Sequence, residues 1–256
     1  MIGIISMFVL LVIVLLGLFW LKKTLFIFGF FFKFFMLLML VAIVGSVVFG
    51  YMIVKDANDF RNHFSNSTNV FIVKDTVNET TTFLSGTTLN LTRKSDAYAP
   101  MDKDQLSSIK KLYDEDKMST LNAQYYKMFV IDLKAFDDMK AFNVTDFKIS
   151  DQNIELNHSE VSQVMLSSDA RSEVAEIIAL RNNVSKSSVL KEINFDDEQI
   201  KAYILSYYLT STLSPQNIAG LLSQLKNGNI QVYEETALFK SVKFIPQSLI
   251  DLVVNF

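Results

Sequence analysis

The side chains that could do chemistry are mostly carboxylates, and they occur in short clusters: Asp114-Glu115-Asp116, Asp137-Asp138, Asp196-Asp197-Glu198 and Glu234-Glu235. Paired carboxylates can serve acid–base hydrolysis or bind calcium. None of these clusters has the alternating oxygen ligands, central glycine and closing glutamate of an EF-hand. Asp196-Asp197-Glu198 also suits the first turn of a helix, whose dipole it complements. We therefore predict no catalytic or metal-binding carboxylate.

Other reactive residue types are scarce. The chain of 256 residues has no cysteine and only two histidines, His63 and His158. The lack of cysteine excludes disulfides, thiolate metal sites and cysteine nucleophiles. The sequence also lacks a P-loop, a dinucleotide-type glycine pattern, a zinc-protease helix and a G-x-S-x-G elbow. We expect no cofactor, and the motifs indicate no known family.

Asparagines in Asn-x-Ser/Thr sequons are the remaining group with recognisable chemistry. They all follow the apolar N-terminal part: Asn66, Asn78, Asn90, Asn143, Asn157 and Asn183. A glycosylated sequon must lie on the surface of a segment outside the cytosol. These residues are candidate glycosylation sites, and the alternative is that they are ordinary residues of Asn/Ser/Thr-rich loops.

Charge is divided unevenly along the chain. Residues 1–55 contain four lysines and no acidic residue, whereas residues 56–256 contain 20 basic and 27 acidic residues. The acidic polar part excludes nucleic-acid binding through bulk positive charge. It is also long enough to bury a hydrophobic core of its own.

The N-terminal part is predicted to be a membrane anchor, residues 1–55. Its uncharged stretches 2–21 and 34–54 would each be about 30 Å long as helices, which matches the hydrocarbon core of a bilayer. We predict two transmembrane helices there, joined by a loop over 22–33 whose phenylalanines suit the membrane interface. Positive charge follows the first stretch rather than preceding it, which argues against a cleaved signal peptide.

Lysines predict the orientation of this hairpin in the cell membrane. Lys22, Lys23 and Lys33 all lie in the short loop, and the positive-inside rule places such a loop in the cytoplasm. The N-terminus and everything after Val54 then lie outside the cytoplasm. The lipid bilayer is thus the first predicted partner.

Small residues recur at intervals of four in the second predicted span. Ala42, Ser46 and Gly50 would form a stripe where another helix can approach closely. The first span and another membrane protein are the candidate neighbours. Small residues are also common in membrane helices, so the stripe need not be a contact.

The polar part is predicted to begin with a stalk, residues 56–68, that continues the membrane helix. An extracytoplasmic domain, residues 69–256, follows. Its early residues favour strands: Val70–Val73, then a hairpin of 80–84 and 87–92 with Ser85-Gly86 as the turn. Residues 124–133 favour a strand, and 143–156 favour a strand pair.

Helix signals dominate the second half. Asp102 or Asp104 is a candidate N-cap after Pro100, and Asp196 with Gln199 resembles a capping box. Further helices are predicted around 174–178, from 214 to 227 with Gly228 at the C′ position, and after Pro246. Together these signals predict an α+β ectodomain preceded by a two-helix transmembrane hairpin.

The first functional hypothesis is a membrane-tethered extracytoplasmic binding or assembly protein that is not an enzyme. Its partner would be another membrane protein or an envelope component. One alternative is a membrane-anchored hydrolase or transferase that uses carboxylates. Another is an accessory subunit of a larger membrane complex, held through the stripe of Ala42, Ser46 and Gly50.

Overall fold

One long helix and a mixed helix–strand domain form the protein in this computed structural model. The structure describes residues 2–92, 97–139, 141–144, 149, 154–212 and 218–246. For residues 2–30, except Trp20 and Lys22, and for residues 138, 212 and 218–221, it describes the backbone alone. The chain divides into two compact units, Met1–Met52 and Ile53–Phe256.

Helix α1 spans Ile2–Phe64 and contains 63 residues, so it is about 95 Å long at 1.5 Å per residue. The most apolar stretch of Phe31–Phe64 has a mean hydropathy of 2.6 and none of it is buried. Exposed apolar side chains occur all round the helix between Phe31 and Val54, which suits lipid rather than water. Among the described residues, α1 is the one helix long and apolar enough to span a membrane.

The structure differs from the predicted hairpin, because residues 22–33 do not leave the helix. The segments 2–21, 22–33 and 34–54 are one continuous helix, and a second transmembrane helix is not shown. The physical reason lies in the residue types. Residues 22–33 contain no proline and only one glycine, Gly29, so nothing in the sequence breaks the backbone hydrogen bonds of a helix.

The end of α1 packs against the domain. Residues 56–64, which belong to the predicted stalk, are helical, and Phe60 and Phe64 share a face with ring centroids 4.8 Å apart. Phe60 also meets Phe239 edge to face at 5.4 Å. The Tyr126 hydroxyl donates a hydrogen bond of 2.7 Å to the Asp59 carboxylate. Burial and this carboxylate both raise the pKa of Tyr126.

Seven strands follow: β1 Asn69–Val77, β2 Thr80–Leu89, β3 Tyr98–Pro100, β4 Met128–Asp132, β5 Phe142–Asn143, β6 Glu155–Leu156 and β7 Ile230–Tyr233, in the described part of the chain. Five of them form one sheet in the order β3-β2-β1-β4-β7. β1 and β4 run parallel, and every other neighbouring pair is antiparallel. β5 and β6 pair with each other.

The predicted hairpin turn at Ser85-Gly86 is wrong. Both residues are buried inside β2, and the turn between β1 and β2 is Asn78-Glu79, where φ is +49° and +66°. Asparagine tolerates this left-handed conformation. Gly86 instead allows the Leu106 side chain to pack close to the β2 backbone, because an added Cβ would lie 2.8 Å from a side-chain atom of Leu106.

The helices of the domain are α2 Lys103–Asp114, α3 His158–Leu166, α4 Ala170–Asn182, α5 Lys186–Glu192, α6 Asp197–Thr212, α7 Ile218–Lys226 and α8 Ala237–Val242. Two 3-10 segments, Met118–Ala123 and Leu133–Asp138, flank β4. The sequence did not indicate α3, α5 or α8 as separate helices.

Local signals at helix ends are confirmed. The Asp102 side chain caps α2 in a capping box with Gln105. Asp196 and Gln199 form the same reciprocal pair before α6, with hydrogen bonds of 2.8 and 3.0 Å. Gly228 has φ +78° after α7, and its amide donates to the Leu225 carbonyl, as in a Schellman motif.

The sheet is covered on both faces. One face carries Phe71, Val73 and Ile131 and packs against the larger core, which includes residues of α3, α4 and α6. The other face carries Ile72 and Val130 and packs mainly against α2. Strands and helices thus form the α+β domain that the sequence predicts. The predicted start of the helix at Ser214-Pro215, and the last helix with Leu249, Ile250 and Val253, lie outside the described residues.

Gly86→Val is expected to lower the free energy of unfolding by about 1–3 kcal/mol, because the new side chain overlaps α2. Urea-dependent pulse proteolysis of the full chain in detergent measures this change. Thr82→Val is the matched control, since Thr82 is exposed on the same strand. Equal stability of the two variants would show that α2 does not pack closely on Gly86.

Candidate functional site

Strand β2 has an unpaired edge. All of β2 pairs with β1, apart from a bulge near Leu84, but only Thr87–Leu89 pair with β3. Residues 80–85 therefore have no strand partner on their outer side within the described part of the chain. The backbone N–H and C=O groups along such an edge remain available for pairing.

A groove of about 530 Å³ follows this edge and is called the β2 groove here. Its floor is Thr81–Leu84. One wall is α2, and the other consists of the α3–α4 connection and the first turns of α6. The lining side chains on the walls are Lys103, Leu106, Ser107, Lys110, Leu166, Ser167, Ser168, Asp197, Glu198 and Lys201.

The local sequence explains why the edge stays open. β3 ends at Pro100, which has no N–H to continue a ladder. The Met101 amide donates instead to the Gly86 carbonyl at 2.9 Å, and Asp102 then caps α2. The chain thus leaves the sheet after three residues of β3 and returns as a helix beside the unpaired part of β2.

One ion pair joins the two walls. Lys103 Nζ of α2 lies 3.0 Å from Glu198 Oε1 of α6. The hydrogen bond to Glu198 raises the pKa of Lys103. Partial burial alone would raise the pKa of Glu198, but the hydrogen bond and charge of Lys103 lower it overall. Both groups are therefore ionised at neutral pH.

Lys201 differs from the other two lysines of the groove, because it is partly buried and has no ion-pair partner among the described residues. Burial lowers its pKa, although the nearby Asp197 and Glu198 charges oppose this effect. Lys201 makes no hydrogen bond or ion pair with any residue that the structure describes, whereas Lys103 and Lys110 are paired with Glu198 and Asp114. The Asp197 carboxylate is itself engaged, because it accepts a hydrogen bond from the Arg171 amide at 2.8 Å.

Apolar side chains complete both walls. Phe83 and Leu106 belong to the face covered by α2. Leu84 packs with the larger core, and Leu166 on the same side is 51% exposed. The groove therefore offers an apolar strip on each side of an open strand edge and one half-buried positive charge.

Several carboxylates of the acidic clusters make local contacts in the described part of the chain. Asp114 and Glu115 form ion pairs with Lys110 and Lys117 at the end of α2. Asp196 caps α6, and Glu234 accepts a hydrogen bond from Asn122. No group of three potential metal ligands occurs among the described residues. Asp102, Asp104 and Asp196 line a depression beside the β2 groove. Asp102 and Asp196 also cap helices α2 and α6.

The histidines lie at the surface. His158 is the exposed first residue of α3, and His63 Nδ1 lies 3.1 Å from the Asp59 carboxylate at the end of α1. No nucleophile is hydrogen-bonded to either ring in the described structure. Neither position resembles a catalytic arrangement.

The sequon asparagines occupy turns, caps and strand ends. Asn66, Asn78, Asn157 and Asn183 are exposed, whereas Asn90 and Asn143 are half-buried. Asn157 caps α3, and the Asn90 amide donates to the Thr68 hydroxyl at 3.1 Å. These positions do not test glycosylation, which stays a prediction.

The small-residue stripe is exposed along α1. Ala42, Ser46 and Gly50 are all accessible, and no other atom lies within 4 Å of a Cβ added to Gly50. The Ser46 hydroxyl donates back to the Ala42 carbonyl at 2.7 Å.

No family model, curated protein or solved structure matches this chain. Only the geometry of the structure therefore supports the β2 groove as a candidate site. The sequence alone did not predict it. Asp197 and Lys201 are four residues apart, which indicates an ordinary exposed helix pair. The open edge depends on the unequal lengths of β2 and β3, which no local pattern reveals.

Lys201→Met is expected to raise the free energy of unfolding at neutral pH, because it removes a partly desolvated charge. The increase should be at most about 0.5 kcal/mol, since solvent at the open groove screens the charge. The pKa of Lys201 is lower in the folded state than its ordinary value of 10.5. Its charge therefore destabilises the fold below the folded-state pKa, and this effect is lost as the pH rises to the unfolded value.

Pulse proteolysis of the full chain at several pH values measures this prediction. The advantage of Lys201→Met should be full at neutral pH and absent above about pH 10.5. Lys111→Met, which changes an exposed lysine of α2, should have little effect. A loss of stability in Lys201→Met at neutral pH would show that the charge is well compensated.

Proposed function

We propose that this chain is a membrane-tethered extracytoplasmic protein that binds a partner through the β2 groove and is not an enzyme. The observation that carries the proposal is the open edge of β2 beside the unpaired charge of Lys201. An unpaired strand edge in a groove is a common surface for binding another chain. The partner would be another membrane protein or an envelope component, and the proposal includes no cofactor.

The exposed stripe of Ala42, Ser46 and Gly50 gives a second candidate role, as an accessory subunit of a larger membrane complex. The two roles are compatible, because the stripe and the groove belong to different parts of the chain. No specific observation favours the carboxylate-dependent hydrolase or transferase.

We also propose that residues 1–55 form a two-span hairpin in the bilayer. The apolar part of α1, residues 2–54, would be about 80 Å long if it stayed straight, whereas the hydrocarbon core is about 30 Å thick. A reversal within 22–33 would place both apolar stretches in lipid. It would also leave Lys22, Lys23 and Lys33 at one interface, which the positive-inside rule assigns to the cytoplasm.

Single introduced cysteines test this topology, since the chain has none of its own. With a membrane-impermeant maleimide on intact cells, Ile2→Cys and Glu192→Cys should be labelled, and Thr24→Cys should be labelled only after permeabilisation. Glu192 is exposed on α5. Labelling of Ile2→Cys and Glu192→Cys on opposite sides would exclude the two-span hairpin, and protection of Glu192→Cys would exclude the outward domain.

Photo-cross-linking in native membranes tests binding at the groove. A benzoylphenylalanine at position 107 should give a saturable adduct of one defined mass, because Ser107 lines the groove. The same residue at position 108 is the matched control, since Ser108 is an exposed neighbour outside the lining. Adding Lys201→Glu should reduce the adduct at position 107. Equal yields at both positions, or none at either, would contradict the proposal.

A further inference from the structure

We infer that the β2 groove binds an extended segment of a partner polypeptide, which adds to the sheet as a strand beside β2 and presents an acidic side chain to Lys201. This inference rests on the proposed binding function and names the chemistry of the partner. It follows from the backbone of the edge, the shape of the walls and the charge of the lining.

The backbone supplies the first argument. The floor of the groove, Thr81–Leu84, is four residues of unpaired edge, or about 13 Å at 3.3 Å per residue. β3 already occupies the neighbouring part of the same edge at Thr87–Leu89. An added segment would therefore continue the line of β3 and pair with backbone groups that no described residue uses.

The walls of the groove supply the second argument, because they favour one extended chain over the edge of another folded sheet. An open edge usually invites edge-to-edge pairing with another sheet, and proteins obstruct such pairing with charges, bulges or covering elements. Here α2 and α6 stand on opposite sides of the edge and are joined by Lys103 and Glu198. The two walls therefore obstruct edge-to-edge pairing with a folded sheet, while the groove of about 530 Å³ between them stays open to an extended chain.

Side chains of an added strand alternate between the two walls. Those that point to the α2 side meet Phe83 and Leu106, which favour apolar residues. Those that point to the other side meet Leu166 and Lys201. The preferred segment therefore has apolar residues at alternate positions and an acidic residue between two of them.

Charge supplies the last argument. The polar part of the chain is acidic, with 27 acidic and 20 basic residues after residue 55, yet the groove is lined by three lysines and only two carboxylates. Lys103 and Lys110 are already paired. Lys201 is left as the half-buried charge that a carboxylate of the partner would neutralise, which offsets part of its desolvation.

Peptides with N-methyl groups test strand addition directly. The probe is fluorescent acetyl-Val-Thr-Val-Glu-Val-Thr-amide, N-methylated either on the three valines or on the three polar residues that alternate with them. Both isomers carry the same side chains, but each has amides available along only one edge. An added strand that continues the line of β3 pairs antiparallel to β2. With its valines toward α2, such a strand turns only one of its edges to β2. Strand addition therefore predicts that one isomer binds the full chain in nanodiscs at least about ten-fold more tightly than the other, which has no free amide on that edge.

Three variants place the binding in the groove. Ser107→Trp should block the tighter isomer, whereas the matched Ser108→Trp should bind it as the natural protein does. Lys201→Met should weaken binding about ten-fold, as the loss of one charge-assisted contact predicts. Replacing Glu by Lys in the probe should weaken binding by a similar factor and should abolish the difference between the natural protein and Lys201→Met.

Hydrogen exchange supplies an independent readout that does not depend on a variant folding. Amides within residues 80–85 should exchange more slowly when the tighter isomer is bound, and those of β7 should not change. Equal binding of both isomers, binding that Ser107→Trp does not affect, or no binding by either isomer would overturn strand addition. If the cross-linker at position 107 still gives its adduct in that case, the binding function stands; if it does not, both proposals fail.

Discussion

Strands β1 and β4 are apolar on both faces of the sheet. The burial of both faces is the constraint on which the rest of the domain depends. Val70 and Ile72 point to one side of the sheet and Phe71 and Val73 to the other, and each is at most 1% exposed. Strands of this kind require cover on both sides. α2 provides it on one face, and α3, α4 and α6 provide it on the other.

The groove is a consequence of that cover. β2 lies next to β1, helices from opposite faces of the sheet line its outer edge, and β3 protects only one end of that edge. A fourth or fifth residue in β3 would close more of the edge. The chain instead turns at Pro100 and Asp102 into α2, so a boundary set by two residues determines whether β2 is accessible. Lys201 adds a partly buried charge that has no ion-pair partner among the described residues.

The parts of this fold that follow from sequence are those with local causes. The caps at Asp102 and Asp196 and the left-handed glycine Gly228 satisfy helix ends through neighbouring residues, so their patterns predict them. Gly86 shows the limit of such reasoning. A glycine after a serine indicates a turn, but here the absent Cβ makes room for Leu106, which is twenty residues away. The open edge and the environment of Lys201 likewise depend on elements that meet only in three dimensions.

The free-energy costs of two arrangements of the apolar helix in a bilayer can be compared: a turn within residues 22–33, and a straight helix. Turning the chain within 22–33 would leave about four N–H and four C=O groups without helical partners, and at a hydrated interface each lost hydrogen bond costs about 0.5–1.5 kcal/mol. Keeping the helix straight in a bilayer would instead expose one apolar stretch to water. Each large apolar side chain left there costs about 1.5–3 kcal/mol, and residues 2–21 alone contain more than a dozen. The hydrophobic term is therefore larger by a wide margin, which supports the proposed reversal within residues 22–33.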